Sequence, residues 1–145
     1  MHSFEKLEIW RLSLDLIETI YETARDLSDD EKFGLTSQLR RASVSVCLNI
    51  AEGRASDSDA ESRRFLGISL RSLIEIVACL KICERLKYLD CKVVNDVCQS
   101  CDKIEAKIRK FRNTLSNKRR TQRVSTRGVR RNASSVVRKE NVWVL

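Results

Sequence analysis

The chain of 145 residues carries 28 Lys and Arg against 20 Asp and Glu, a net charge of +8, with no proline, four glycines, six cysteines and one histidine. That length makes one domain with a core of its own, and without proline or alternating apolar–polar runs it excludes a β-rich fold and predicts an all-α protein. No apolar run approaches the roughly 20 residues that span a bilayer, and residues 1–6 lack the apolar stretch of a secretory signal, so the expected location is cytoplasmic, with no membrane partner.

A first helix is expected over residues 4–27. Leu7, Trp10, Leu14, Ile17, Tyr21 and Ala24 recur at steps of three and four, the seam of a bundle helix. Ile9, Leu12, Leu16 and Ile20 form a second stripe, which is either a subunit interface or the edge of a wide core face. Ser28 and Glu31 have capping-box spacing, which predicts a second helix over residues 29–53. Ser58 and Glu61 repeat the box and open a third helix reaching to about residue 89. Its expected core face is Leu66, Leu70, Leu73, Val77 and Leu80, with a second apolar face of Phe65, Ile68, Ile76, Cys79 and Cys83. The fourth helix has the cleanest pattern, Val94, Val97, Cys101, Ile104, Ile108, Phe111 and Leu115. Four amphipathic helices with short connections predict an antiparallel four-helix bundle over residues 1–117.

After Asn117 the apolar periodicity stops. Lys118, Arg119, Arg120, Arg123, Arg127, Arg130, Arg131, Arg138 and Lys139 face Glu140 alone, whereas residues 1–117 carry equal numbers of each sign. Residues 118–145 therefore hold the whole excess charge. Their few apolar residues do not offset the entropy of ordering, which predicts a basic, disordered C-terminal tail. Such a polycation, seven Arg to two Lys, attracts phosphate backbones through counterion release. The competing readings are a solvated tail without a partner and contact with an acidic lipid surface.

Catalysis has little to work with. His2 is the only histidine and there is no phosphate-binding glycine loop, so no enzyme is expected and no cofactor. Cys79 with Cys83 and Cys98 with Cys101 have zinc-ligand spacing, but their place in apolar helical patterns favours core packing, so no metal is expected. A polar network is expected between helices 2 and 3. In a hairpin centred near Ser56, Glu75 meets Arg40 or Arg41 as a bidentate ion pair, and Asn49 and Glu52 lie level with Arg63 and Arg64. Arg63 and Arg64, beside the turn, are read either as part of that network or, with the tail, as nucleic-acid contacts.

Several segments resemble one family. Residues 34–53, G-L-T-S-Q-L-R-R-A-S-V-S-V-C-L-N-I-A-E-G, are similar to the helix 2 signature of the ribosomal-RNA intervening-sequence proteins. So are Lys6-Leu7-Glu8-Ile9-Trp10, Arg64-Phe65-Leu66 and Ser72-Leu73-Ile74-Glu75, and Leu86-Lys87-Tyr88-Leu89 has lysine where the family has glycine. The resemblance covers about residues 4–115 and marks Ser72 and Glu75 as part of the polar network. It implies a four-helix bundle that assembles into ring-like homo-oligomers, pentamers among them. It also implies kinship with the accessory variability determinants of diversity-generating retroelements, which bind a reverse transcriptase and nucleic acid. The resulting expectation is a non-enzymatic homopentamer that binds RNA or a ribonucleoprotein electrostatically; the alternative is a scaffold for a protein partner such as a reverse transcriptase.

Overall fold

Helices α1 (Glu8–Thr23), α2 (Leu35–Ala55), α3 (Asp59–Arg85) and α4 (Cys91–Gly128) follow one another through short connections, with 3-10 turns at Ser3–Lys6 and Asp29–Glu31. The structure, a computed structural model, describes residues 2–31 and 34–128, with side chains as far as Leu115. Each helix packs on the one before and the one after it, and α4 closes back on α1. This is an antiparallel four-helix bundle.

One buried seam per helix builds the core. On α4 it is the expected one: Val94, Val97, Cys101, Ile104, Ile108, Phe111 and Leu115 are all buried. On α1 the core face mixes the two expected stripes: Leu7 and Ala24 of the expected seam are buried, but between them residues of the second stripe turn inward. Ile9, Ser13, Leu16, Ile20 and Thr23 face the core, while Leu14 and Tyr21 of the expected seam stand more than a third exposed and Trp10 and Ile17 are half-buried. The true seam passes through two hydroxyl residues that are satisfied within their own helix. Ser13 Oγ donates to the Trp10 carbonyl at 2.6 Å and Thr23 Oγ1 to that of Thr19 at 2.8 Å. A back-bonded hydroxyl leaves nothing unpaired in the core. On α3 the expected faces merge: Ser62, Leu66, Ser69, Leu73, Ile76, Leu80 and Cys83 repeat at alternating steps of four and three, and Val77 is only half-buried.

Helix ends show how local chemistry sets length. Ser58 opens α3 as expected, its Oγ accepting the Glu61 N–H at 3.2 Å. Ser28 does not open α2. Its backbone carbonyl accepts from Glu31 N at 3.0 Å in the short turn, and Glu31 Oε2 instead accepts the Leu35 N–H at 3.2 Å. The carboxylate is thus used on the first turn of a helix that starts at Leu35 and not at Asp29. α4 has no glycine or proline before Gly128 and carries its helical backbone past the expected boundary at residue 117 to that glycine. Lys118, Arg119, Arg120, Arg123 and Arg127 therefore sit on the continuation of α4, while Arg130, Arg131, Arg138 and Lys139 lie outside the described residues.

α3 ends in a Schellman motif: Tyr88 N–H donates to the Cys83 carbonyl at 2.9 Å and Lys87 N–H to that of Glu84 at 3.0 Å. Lys87 holds φ at 59°, a left-handed conformation that a side chain disfavours. Replacing Lys87 with Gly should stabilise the bundle by about 1 kcal/mol, read as a rise of a few degrees in thermal midpoint. An unchanged or lowered midpoint would show that the lysine side chain does more than cap.

Candidate nucleic-acid interface

α2 and α3 make the most extensive helix contact of the bundle, and small residues are the reason. Gly53 is buried against α3, where a Cβ would stand 3.3 Å from the Ser62 carbonyl oxygen. Ser69 Oγ donates to the Val46 carbonyl at 3.0 Å and Ser72 Oγ to Ser45 Oγ at 2.9 Å. These bonds fix the register that the rest of the polar network follows. Ser72 was expected in it; Ser45 and Ser69 were not, and the signal for them was the recurrence of serine on the apolar faces of α2 and α3.

The Glu75 contact forms with a different geometry from the expected bidentate pair. Gln38 Nε2 donates to Glu75 Oε1, Arg41 Nη2 donates to Gln38 Oε1 at 2.7 Å, and Arg41 Nη2 stands 3.7 Å from Glu75 Oε1. The Arg41 side chain is 73% exposed and that of Glu75 37%. Arg40 points to α1, with its guanidinium 5.1 Å from the Tyr21 ring centre and its Nε buried without a partner. Asn49 Nδ2 donates to the Ser45 carbonyl at 2.8 Å and to Ser45 Oγ at 3.2 Å. Glu52 is exposed, and its carbonyl accepts from Ser56 Oγ at 2.8 Å. The pair thus lies near the surface, and Glu75→Ala should cost less than about 1 kcal/mol. A thermal melt would then move by a few degrees at most, and a collapse of the fold would place the carboxylate in a buried role.

Near the α2–α3 turn, Arg63 faces α4 rather than Asn49 and Glu52. Arg63 Nη1 donates to the Arg112 carbonyl at 2.5 Å, and Arg64 lies against the neighbouring Phe65 ring at 5.5 Å. Arg112 of α4 was absent from the sequence expectation. Burial first, and then the neighbouring Arg63, Arg109 and Arg71, lower its pKa. The structure therefore gathers cations on the α3–α4 face, at the end of the bundle from which the basic continuation of α4 departs.

The thiols belong to the core. Cys79, Cys83 and Cys101 are buried in the hydrophobic cluster, and Cys98 packs against it. Burial raises all four pKa values, that of Cys83 to about 11 and that of Cys101 to about 12, so these two stay protonated at neutral pH. Protonated thiols are poor metal ligands and poor nucleophiles. Among the described residues, no group of three His, Cys, Asp or Glu side chains is placed to hold a metal ion.

Four antiparallel helices with serine-lined seams and a basic α3–α4 face define a helical-bundle protein. Among the described residues no helix is long and apolar enough to cross a membrane. The model of the 23S rRNA-intervening sequence proteins matches residues 5–110, and the chain belongs to that family. Its fold is similar to that of a solved Bacteroides thetaiotaomicron protein of unknown function from the S23 ribosomal protein family. That similarity has a TM-score of 0.67 at 21% identity, covering 72% of this chain and 97% of the other. No curated protein matches the chain.

Proposed function

We propose that this protein is a non-enzymatic, cytoplasmic homo-oligomer, a pentamer, that binds RNA or a ribonucleoprotein electrostatically. The observation that carries this reading is the segregation of charge: residues 1–117 are balanced, and all of the excess follows them in one arginine-rich segment continuous with α4. The name of the family, which refers to intervening sequences of 23S rRNA, supports RNA as the partner. Exposed Leu14 and Tyr21 on α1, Leu48 on α2, Ile74 and Ile82 on α3 and Leu86 just after it offer apolar surface for assembly. Several basic segments on one ring raise avidity well above that of one. The same exposed apolar residues favour a second reading, a scaffold for a protein partner.

RNA binding measured against salt, for the full chain and for residues 1–117 with solution mass recorded on both, tests the proposal. Tight, salt-sensitive binding by an oligomeric full chain supports it. An oligomer that binds no RNA turns attention to the protein-scaffold reading, and a monomer removes the ring.

A further inference from the structure

Arg63, Gly67 and Arg71 follow one another at one-turn spacing on α3. Arg112 crosses from α4 and lays its guanidinium over Gly67, with Nη2 3.5 Å from the place a Cβ would occupy. A Cβ at 67 would meet the guanidinium in ordinary van der Waals contact. The bond from Arg63 to the Arg112 carbonyl holds the two strands of the cluster together. Arg112 thus sits between Arg63 and Arg71 as the middle member of a cationic row.

Among the described residues the row has no counter-charge. The nearby Arg109 is held by Glu105, with both Nε and Nη2 2.7 Å from Oε1. Among the described residues, no carboxylate stands within ion-pair distance of Arg63, Arg71 or Arg112. Arg112 Nε is buried and has no hydrogen-bond partner among the described residues. Like charges held this close destabilise the compact state, and a buried donor without an acceptor adds to the cost. One chemical class of ligand relieves the repulsion: an anion with several oxygens arranged to meet guanidinium forks.

We propose that the Arg63–Arg112–Arg71 row binds the phosphodiester backbone of RNA, a reading that rests on the RNA-binding function above and assigns part of it to the folded bundle. Phosphate oxygens accept from the guanidinium N–H groups of the row and offset the repulsion between them. α4 leaves the bundle beside the first turns of α3, so an RNA strand seated on the row runs directly onto the basic segment that begins at Lys118. Arginine is suited to this in a way that lysine is not, because its planar fork makes two parallel bonds to one phosphate.

The test is binding of a fluorescein-labelled single-stranded RNA to the full-length protein across a salt series, for wild type, Arg71→Gln, Arg112→Gln and the control Arg85→Gln. Arg71 is exposed, so its variant keeps the fold even where Arg112→Gln disturbs packing; circular dichroism confirms this. The expected result is an affinity loss of about tenfold for each row variant. The slope of log affinity against log salt falls by about one, and Arg85→Gln stays near wild type. Unchanged affinity and slope in both row variants, with wild type still binding, overturns the row and leaves RNA binding to the basic segment. Failure of the wild type to bind RNA overturns both. Competition by polyglutamate as strong as by unlabelled RNA overturns the phosphate assignment in favour of an acidic protein.

Discussion

Deleting residues 118–145 should lower the affinity of the proposed RNA complex by about a thousandfold at about 0.1 M salt. The segment holds nine Lys and Arg against one Glu. Each phosphate contact to a single strand releases counterions with a slope of about 0.7, worth about fivefold at that salt. Not every charge of the segment meets a phosphate at once, and roughly four or five contacts compound to the thousandfold loss. The salt slope of the truncated protein should fall by about three units for the same reason. The affinity that survives truncation belongs to the folded bundle, and it should fall by about a further tenfold when Arg71→Gln is added. A truncated chain that binds as tightly as the full one would take the basic segment out of recognition altogether.

Phe111→Ala should cost about 3–5 kcal/mol of folding stability. Phe111 lies on the α4 seam, 4% exposed, between Ile108 and Leu115 in the hydrophobic cluster. Truncation removes the ring's transfer free energy and leaves a void that surrounding helices fill only in part. The loss is a large share of the roughly 5–15 kcal/mol that holds a domain of this kind together. Denaturant unfolding reads it as a lower midpoint at an unchanged slope. A loss below about 1 kcal/mol would mean that this end of α4 is loosely packed. Arg112 follows Phe111 directly, so loosening this turn should also weaken the cationic row, and the two effects separate because Arg71→Gln leaves stability near wild type.

The helical class, the four-element order and the family were legible because the apolar period and its combined motif spacing are local properties. The α4 seam was complete in the sequence, since every position on it is an apolar residue or cysteine. The Ser58 cap was legible for the same reason: a hydroxyl three residues before an acidic side chain is a local signal for a helix start. Ser28 and Glu31 have the same spacing, yet Glu31 bonds forward to Leu35. Two local uses of one carboxylate competed there, and the connection from α1 decided between them.

The proposed nucleic-acid site divides in a similar way. The basic segment was plain from its composition, and the expected contact between Arg41 and Glu75 followed from hairpin symmetry, though Gln38 enters it and solvent weakens it. Arg63, Gly67 and Arg71 were spaced one turn apart in view, but nothing local marked Arg112 as their companion, because that meeting depends on how α4 lies against α3.

The sequence by itself determined that this chain makes four amphipathic helices, pairs them antiparallel and concentrates its positive charge after them. The tertiary structure alone decided which residues of the two apolar stripes on α1 face inward, and which arginines meet. The physical reason is common to both. A serine bonded to its own helix can be buried at little cost, and a guanidinium can reach across a groove, so neither outcome is set until the neighbouring helix is in place.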